Sequence, residues 1–482
     1  MMPLVLIILV PLFTAGVVAV LGNWPNLRES ISLLAGATLF ILNVLILLSV
    51  LAGNFTAVWI AEPIPGLPIS LRAEPLGALF GLTASFLWLV TTVYSIGYLR
   101  AHNELHQSRF FAFFAVAIAS TMGVAFAGNL FTLFLFYELL TFSTYPLVTH
   151  TGTAEARQAG RKYLGILVGT SMAFLLVAIV WTWLLAGTVD FRVGGILAGT
   201  ASPVVIGLLY ALFVFGIGKA ALMPFHRWLP AAMVAPTPVS ALLHAVAVVK
   251  AGVFAILKIT IYVFGLDLVR SSGASNWLLW VAGATILIAS LIALYQDNLK
   301  RRLAYSTISQ LSYIVLGGLL ANAAGIIGGV MHIATHAFGK ITLFFCAGAI
   351  LITTHKTRIS EMGGLGRTMP FTMGAFLLAS LSIVGLPPMG GVWSKWYLAL
   401  GALDAGYSVL LGVLMLSTLL NVAYLFPIPI RAFFGKEHGV SVSGYKEAPV
   451  PCLLAIGITA AACLILFFVP QPLYRLAASL VN

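Results

Sequence analysis

The stretch Tyr137–Pro146, "YELLTFSTYP", places one carboxylate in the middle of an apolar segment. Glu138 lies about ten residues from either end of the apolar stretch 128–149. With a rise of about 1.5 Å per helical residue, it is expected near the centre of a hydrocarbon layer about 30 Å thick. Some feature of the rest of the chain must therefore stabilise a carboxylate at that depth.

The composition identifies the environment of this segment. Of the 482 residues, 61% are hydrophobic and 8% are charged, and the mean hydropathy is +1.07. Such a chain has too few polar residues to cover a water-soluble globule, so it is predicted to be an all-α polytopic membrane protein. The run 4–20 has no basic leader and no small-residue cleavage site, and is expected to be retained as the first span.

Apolar runs long enough to cross a bilayer predict about 14 transmembrane helices. Their approximate ranges are 4–22, 30–52, 76–98, 109–127, 129–148, 161–187, 203–228, 238–265, 277–296, 302–320, 324–353, 370–400, 405–432 and 450–470.

The net charge of +12 is explained by the distribution of basic residues over the predicted loops. With the N-terminus outside the cytoplasm, one side holds 16 of them and the other side holds 4. The larger group is Arg28, Arg100, Arg109, Arg157, Arg161, Lys162, Arg227, Lys300, Arg301, Arg302, Lys356, Arg358, Arg367, Arg431, Lys436 and Lys446; the smaller is Arg72, Arg192, Arg270 and Arg475. Because basic loops stay cytoplasmic, both termini are predicted to be extracytoplasmic, in a bacterial or archaeal-type inner membrane, and no nucleic-acid partner is needed.

The remaining five basic residues are lysines inside predicted spans: Lys219, Lys250, Lys258, Lys340 and Lys395. Glu138 is expected to be the one deep acid and to need a lysine partner. Buried charges in a membrane usually mark ion pathways, although Glu138 can also be read as a structural ion pair and Lys258 as a side chain that reaches the interface.

Histidines extend this set of polar residues. In "MHIATHAFGKIT", His332, His336 and Lys340 follow one another at four-residue steps, which aligns them on one helical face. A packed polar seam or a proton relay fits this pattern, and neutral imidazoles favour the relay because they accept and donate in turn. No catalytic Glu lies between the two histidines, and the three cysteines have no paired spacing, so neither a metal site nor a cofactor is predicted.

Two predicted spans contain residues that interrupt helices. Pro224 follows Lys219 by five residues, and Pro387 and Pro388 precede Lys395 in "SIVGLPPMGGVWSKW". Both helices are expected to break at membrane depth, where they would line a cavity or water, although simple packing kinks are the alternative.

The breaks occupy matching places in two blocks of five helices. The predicted organisation is a three-helix segment with an extracytoplasmic hairpin (1–108), a first repeat (109–265), an inverted second repeat (277–432) and a C-terminal helix (450–482). Inverted repeats with broken helices at corresponding positions are typical of transporters.

Five motifs carry a resemblance to a known family. They are "FYELLTFSTYPLVTH", "GKAALMPFHRWLPAAMVAPTPVSALLHA", "DNLKRRLAYSTISQLSYI", "MHIATHAFGKITLFFCAGAI" and "LSIVGLPPMGGVWSKW". The chain resembles the antiporter-like membrane subunits shared by respiratory complex I, membrane-bound hydrogenases and Mrp-type cation/proton antiporters. The resemblance implies that Glu138 pairs with Lys219 and that His244 and Lys250 form a relay on the eighth helix. It also implies that Lys395 ends a mid-membrane proton path, to which the eleventh helix contributes His332, His336 and Lys340.

Two further stretches, "TGTAEARQAGRKYLGILVGTS" and "HKTRISEMGGLGRTMP", look most like the Mrp D-type subunits, and a chain of this length is expected to lack the long lateral helix of the largest complex I relative. The resemblance then implies a non-enzymatic, proton-translocating component of a Na⁺(K⁺)/H⁺ antiporter, with other membrane subunits, protons and the lipid bilayer as partners. A redox-driven pump arm, a component of a bicarbonate-uptake complex and a structural scaffold remain as alternatives.

Overall fold

The computed structural model describes residues 2–435 and 444–481. Positions 1, 436–443 and 482 lie outside the described residues. Lys436, counted above on the predicted cytoplasmic side, is one of them.

The described chain is built almost entirely from helices. The first half forms α1 Met2–Val20, α2 Pro25–Leu51, α3 Pro75–Ala101, α4 Gln107–Ala125, α5 Leu130–Val148, α6 Ala154–Thr170, α7 Leu176–Ala186, α8 Pro203–Gly216, α9 Trp228–Ala231, α10 Thr237–Ala241, α11 Val248–Ile259 and α12 Leu266–Ser272. The second half forms α13 Asn276–Tyr295, α14 Leu299–Leu319, α15 Ala323–Thr354, α16 Leu365–Thr368, α17 Pro370–Val384, α18 Gly391–Asp404, α19 Ser408–Leu425, α20 Pro427–Phe434, α21 Val450–Phe468 and α22 Gln471–Ala478. Short π-helical segments at Ser171–Leu175, Leu242–Val246 and Thr260–Phe264 join neighbouring helices.

These helices confirm the predicted class, an all-α polytopic membrane protein. Within the described residues, 11 helical runs are long and apolar enough to cross a bilayer. The total of about 14 spans stays a prediction, because α14 carries three basic residues in its first turn and two predicted spans are divided into shorter helices.

One short hairpin departs from the helical pattern. Strands β1 Ala57–Ile64 and β2 Leu67–Arg72 pair antiparallel, with Gly66 at φ +79° in the turn between them. This is the hairpin predicted within residues 1–108, and its β-branched residues and turn glycine explain the strands. Backbone hydrogen bonds attach β2 to the end of α4: Arg72 N donates to Phe126 O at 2.7 Å, and Gly128 N donates to Ser70 O at 2.8 Å.

Helix α11 lies at the centre of the protein. All 12 of its residues are buried, and an 18-residue window of the run Thr237–Phe264 is 100% buried. The corresponding windows of α2 and α21 are only 33% buried, although both helices are strongly apolar. Large apolar side chains therefore face outward on the peripheral helices, as expected where lipid surrounds the protein.

The chain is interrupted at both predicted positions. Between α8 and α9 the backbone forms a 3₁₀ turn at Gly218–Ala220 followed by turns that include Pro224. Between α17 and α18, Gly385 adopts φ +83° and Pro387 and Pro388 follow it. The inverted relation between blocks 109–265 and 277–432 stays a prediction.

The first interruption packs directly on α11 through Gly252. A Cβ added at Gly252 would lie 2.4 Å from both the Ala220 backbone nitrogen and the Lys219 carbonyl carbon, so a side chain there must displace the interrupted segment.

We expect Gly252→Ala to lower the unfolding temperature of the purified protein, because overpacking against backbone costs about 1–3 kcal/mol. The matched control is Gly165→Ala on α6, where a Cβ meets nothing within 4 Å. Thermal unfolding in detergent measures both variants. Equal unfolding temperatures for the two would contradict the close packing at Gly252.

Candidate functional site

Lys219 lies in the first interruption, in the 3₁₀ turn and not in a regular helix. Its ammonium donates to the Tyr137 carbonyl oxygen at 2.8 Å and to Thr141 Oγ1 at 2.5 Å. The same Nζ lies 3.2 Å from the centroid of the Tyr137 ring. Lys219 is fully buried, so these neutral groups on α5 replace its hydration.

The expected contact between Glu138 and Lys219 is absent from the described residues. Glu138 is 7% exposed, and neither of its carboxylate oxygens has a hydrogen-bond partner in the described part of the chain. Lys219 binds the Tyr137 carbonyl oxygen and Thr141 Oγ1 on α5 instead. The two groups can still influence each other through the field of their charges, which is weakly screened in an apolar interior.

Lys250 and His336 are in direct contact at the centre of the protein. Lys250 Nζ lies 2.7 Å from His336 Nδ1, and both side chains are at most 1% exposed. His244 lies in the π segment before α11, and its ring centroid is 4.6 Å from that of Phe344. Both ring nitrogens of His244 and Nε2 of His336 have no hydrogen-bond partner among the described residues.

His332 extends the array along α15. Its ring stacks on His336, with centroids 5.6 Å apart, as the four-residue spacing predicts. His332 Nδ1 lies 2.8 Å from Ser394 Oγ, and Nε2 lies 3.1 Å from Gln310 Oε1. The His332 ring also stacks on Tyr313, with centroids 5.7 Å apart.

Lys395 lies at the far end of this array, on α18 after the second interruption. Its ammonium donates to the Val384 carbonyl oxygen at 2.9 Å and lies 5.1 Å from the centroid of the Tyr313 ring. The Val384 carbonyl is free because α17 ends there and Gly385 turns the chain away. The interruption containing Pro387 and Pro388 thus supplies a backbone acceptor for a buried lysine.

Lys340 departs from the aligned histidines. Its ammonium donates to Ser306 Oγ at 2.6 Å and to the Leu303 carbonyl oxygen at 3.3 Å, both on α14. Ser306 also accepts a hydrogen bond from the Tyr424 hydroxyl at 2.8 Å. Lys340 therefore begins a polar branch towards α19, separate from the contact between Lys250 and His336.

Other buried charges accompany Glu138. Glu29 and Glu74 are also buried, at 4% and 5% exposed, and the expectation that Glu138 is the one deep acid in the bilayer stays a prediction. Lys258 is fully buried, and its Nζ lies 2.6 Å from Glu74 Oε1, which favours an ion pair over a side chain that reaches water at the interface. The sequence places Glu74 in a loop because it adjoins the hairpin, but the fold places it against α11.

Three polar residues on α14 contact the predicted site residues but were not themselves predicted from the sequence. Ser306, Gln310 and Tyr313 follow one another at steps of four and three residues in "STISQLSYI", which puts them on one helical face. That spacing is a signal that sequence reasoning can use. Ser394 carries no such signal, since a single serine beside a lysine is common.

Comparisons with known proteins agree with this architecture. The family model described as "NADH:quinone oxidoreductase/Mrp antiporter, TM" matches residues 127–421. NADH-quinone oxidoreductase subunit N of Desulforudis audaxviator is 34% identical over 459 residues, covering 93% of this chain and 89% of the relative. The D-type subunit of a Na(+)/H(+) antiporter from Alkalihalophilus pseudofirmus is 27% identical over 476 residues, covering 98% and 94%.

A solved structure gives the same result for the fold. A chain of the membrane-bound sulfane sulfur reductase, an archaeal respiratory membrane complex, superposes with a TM-score of 0.87 at 26% identity, covering 99% of this chain and 97% of that one. Some curated relatives, named subunit 5 of NAD(P)H-quinone oxidoreductases, are longer, and the chain spans 59% of one and 47% of another. The matched model covers more than half of the chain, and this protein therefore belongs to the NADH:quinone oxidoreductase/Mrp antiporter transmembrane family, as an antiporter-like membrane subunit.

Proposed function

We propose that this chain carries protons through the centre of the membrane as one component of a multisubunit Mrp-type Na⁺(K⁺)/H⁺ antiporter. The observation that carries the proposal is the contact between Lys250 and His336, together with the stacked rings that lead from it to Lys395. Buried ionisable groups in contact across helices are the usual elements of proton relays in membranes.

The chemistry at the central contact is a proton transfer between nitrogen atoms. When the Lys250 ammonium gives its proton to His336 Nδ1, the lysine becomes a neutral amine and the imidazole becomes charged. The imidazolium then loses a proton from Nε2 and returns to a neutral ring. The Nε2 atom is buried and has no partner in the described residues, so a bridging water can accept there.

Lys219 and Glu138 form the charge-controlled end of the same path. Burial of Lys219 favours the neutral amine, and the field of the Glu138 carboxylate favours the ammonium without direct contact. A change in the charge or position of Glu138 then alters how readily Lys219 releases its proton. His244 lies in the π-helical segment before α11, and neither of its ring nitrogens has a hydrogen-bond partner among the described residues. It is the next proton acceptor on the path, reached through a water molecule.

The cation path is proposed to lie elsewhere in the complex. Na⁺ prefers several oxygen ligands, whereas the groups that line this array are mostly nitrogen atoms of lysine and histidine. We therefore assign protons to this chain, and Na⁺ or K⁺ to another chain of the complex or to an interface between chains.

A second candidate is the proton-pumping arm of a redox complex. It is favoured by the 34% identity to a protein named NADH-quinone oxidoreductase subunit N, which exceeds the 27% identity to the D-type antiporter protein. The match to the antiporter protein extends over more of both chains and supports the antiporter. Both candidates use the same proton array and differ in what drives it.

The test is the collapse of a pH gradient by Na⁺ in inverted vesicles that carry the whole complex. We expect Lys219→Ala to slow the collapse by more than about tenfold at equal assembly, since it removes a proton-transferring group. The matched control is Lys162→Ala, an exposed lysine on α6 that is expected to keep the wild-type rate.

A wild-type rate in Lys219→Ala would contradict proton transfer through Lys219. If Na⁺ does not collapse the pH gradient in wild-type vesicles, but a reduced electron donor builds such a gradient, the complex is a redox-driven pump. The antiporter assignment is then wrong.

A further inference from the structure

A buried ion pair lies outside the array described above. Lys258, near the end of α11, is fully buried, and Glu74, which directly precedes α3, is 5% exposed. Their charged atoms are 2.6 Å apart. The proton path from Lys219 to Lys395 uses neither residue, although intramembrane ionisable groups are costly to retain without a role.

Glu74 occupies a position where its carboxylate would ordinarily cap a helix. It is the N-cap residue of α3, with extended backbone angles, but its side chain makes no capping hydrogen bond. Its Oε1 lies 2.6 Å from the Lys258 ammonium instead. The carboxylate therefore faces the opposite charge on α11 and is not used to cap α3.

Lys258 has other groups that stabilise its charge. Its ammonium donates to the Ala127 carbonyl oxygen at 2.7 Å and lies 3.5 Å from that of Ala125. It also lies 4.7 Å from the Phe191 ring centroid and 5.5 Å from that of Phe254. Carbonyl oxygens and ring faces hold a cation without a carboxylate. Lys258 can thus stay charged while Glu74 becomes neutral, which makes Glu74 the group that exchanges a proton.

The pair lies beneath the β-hairpin. The carbonyls that bind Lys258 belong to the last residue of α4 and to the segment that follows it, which bridges to Leu71 of β2 and accepts a hydrogen bond from Arg72 N. Arg72 and Tyr262 are the other titratable or charged side chains that act on the pair. Arg72 is partly exposed, so solvent reaches a neighbour of the pair on the hairpin side.

The other side of the pair faces the central array. Lys250, Phe254 and Lys258 follow one another at four-residue steps on α11, so they share a helical face. The two lysines are about 12 Å apart along the helix axis. Phe254 stands between them, and its ring packs on Phe80 with centroids 4.8 Å apart.

We propose that Glu74, held by Lys258, is the site at which the central array exchanges protons with the hairpin side of the membrane, and that Phe254 and Phe80 separate it from Lys250 in this conformation. When the phenylalanines move apart, the Lys250 ammonium passes a proton through water to the Glu74 carboxylate, which leaves a neutral amine and a neutral carboxylic acid. Glu74 then gives the proton to water on the hairpin side, and Lys258 keeps its proton throughout. This inference rests on the proton-translocating function proposed above.

Transport by three variants of the whole complex separates a relay from a structural ion pair. We expect Glu74→Gln and the double variant Glu74→Gln/Lys258→Met to lose more than about tenfold of the transport rate at equal assembly, and Glu74→Asp to retain part of it. The control is Glu155→Gln, an exposed carboxylate on α6. Transport restored to the wild-type rate in the double variant would show a purely structural pair and overturn the proposal.

A second measurement does not depend on transport. Glu74→Cys is treated with a membrane-impermeant thiol reagent in right-side-out and inverted vesicles, with Glu62→Cys at the exposed hairpin tip as the reference for sidedness. The three native cysteines are buried and give a low background. We expect Glu74→Cys to react from the same side as Glu62→Cys. No reaction from that side would overturn the proposal.

The two proposals can fail separately. If Lys219→Ala is inactive and Glu74→Gln transports at the wild-type rate, the exchange site is wrong and the central path stands. If both variants transport at the wild-type rate, the proposed central path is wrong, and the exchange site proposed at Glu74 is wrong as well.

Discussion

The solvation of buried ammonium groups constrains the arrangement of helices around α11. Five lysines lie in the apolar interior, and each insertion of a charge at such depth costs about 2.5–3.5 kcal/mol on insertion scales. Each ammonium has a polar contact in the structure, and each contact comes from a different helix or interruption. The positions of α5, α15, α14, α17 and α3 relative to the centre are therefore tied to particular lysines.

The interrupted helices follow from the same constraint. Carbonyls inside a continuous helix already accept an intrahelical hydrogen bond, whereas the last carbonyls before an interruption have no intrahelical donor and are free for a buried cation. Where α17 stops at Val384, the released carbonyl binds Lys395; where α8 stops, the turn that follows presents Lys219 to α5. The Trp228 indole closes the first interruption by donating to the Gly218 carbonyl oxygen at 3.0 Å. Proline and glycine at these positions thus supply polar groups inside the membrane as well as bends.

Much of this arrangement was visible in the sequence. Hydropathy and the spacing of proline and glycine predicted the helices and both interruptions, because these depend on local composition. The four-residue spacing predicted that His332 and His336 share a face. The sequence did not predict that Lys219 binds Thr141 and not Glu138, or that Glu74 packs on Lys258. Those contacts join residues 78 to 184 positions apart, and they depend on how helices rotate against one another.

Proton transfer between Lys250 and His336 is the central step of the proposed path. The most direct test is proton translocation by the assembled complex with His336→Phe, which keeps a ring of similar size against His332 but removes both nitrogen atoms. We predict that the variant assembles normally and translocates protons more than about a hundredfold more slowly, the scale of a lost acid–base group. Wild-type translocation by an assembled His336→Phe complex would contradict it.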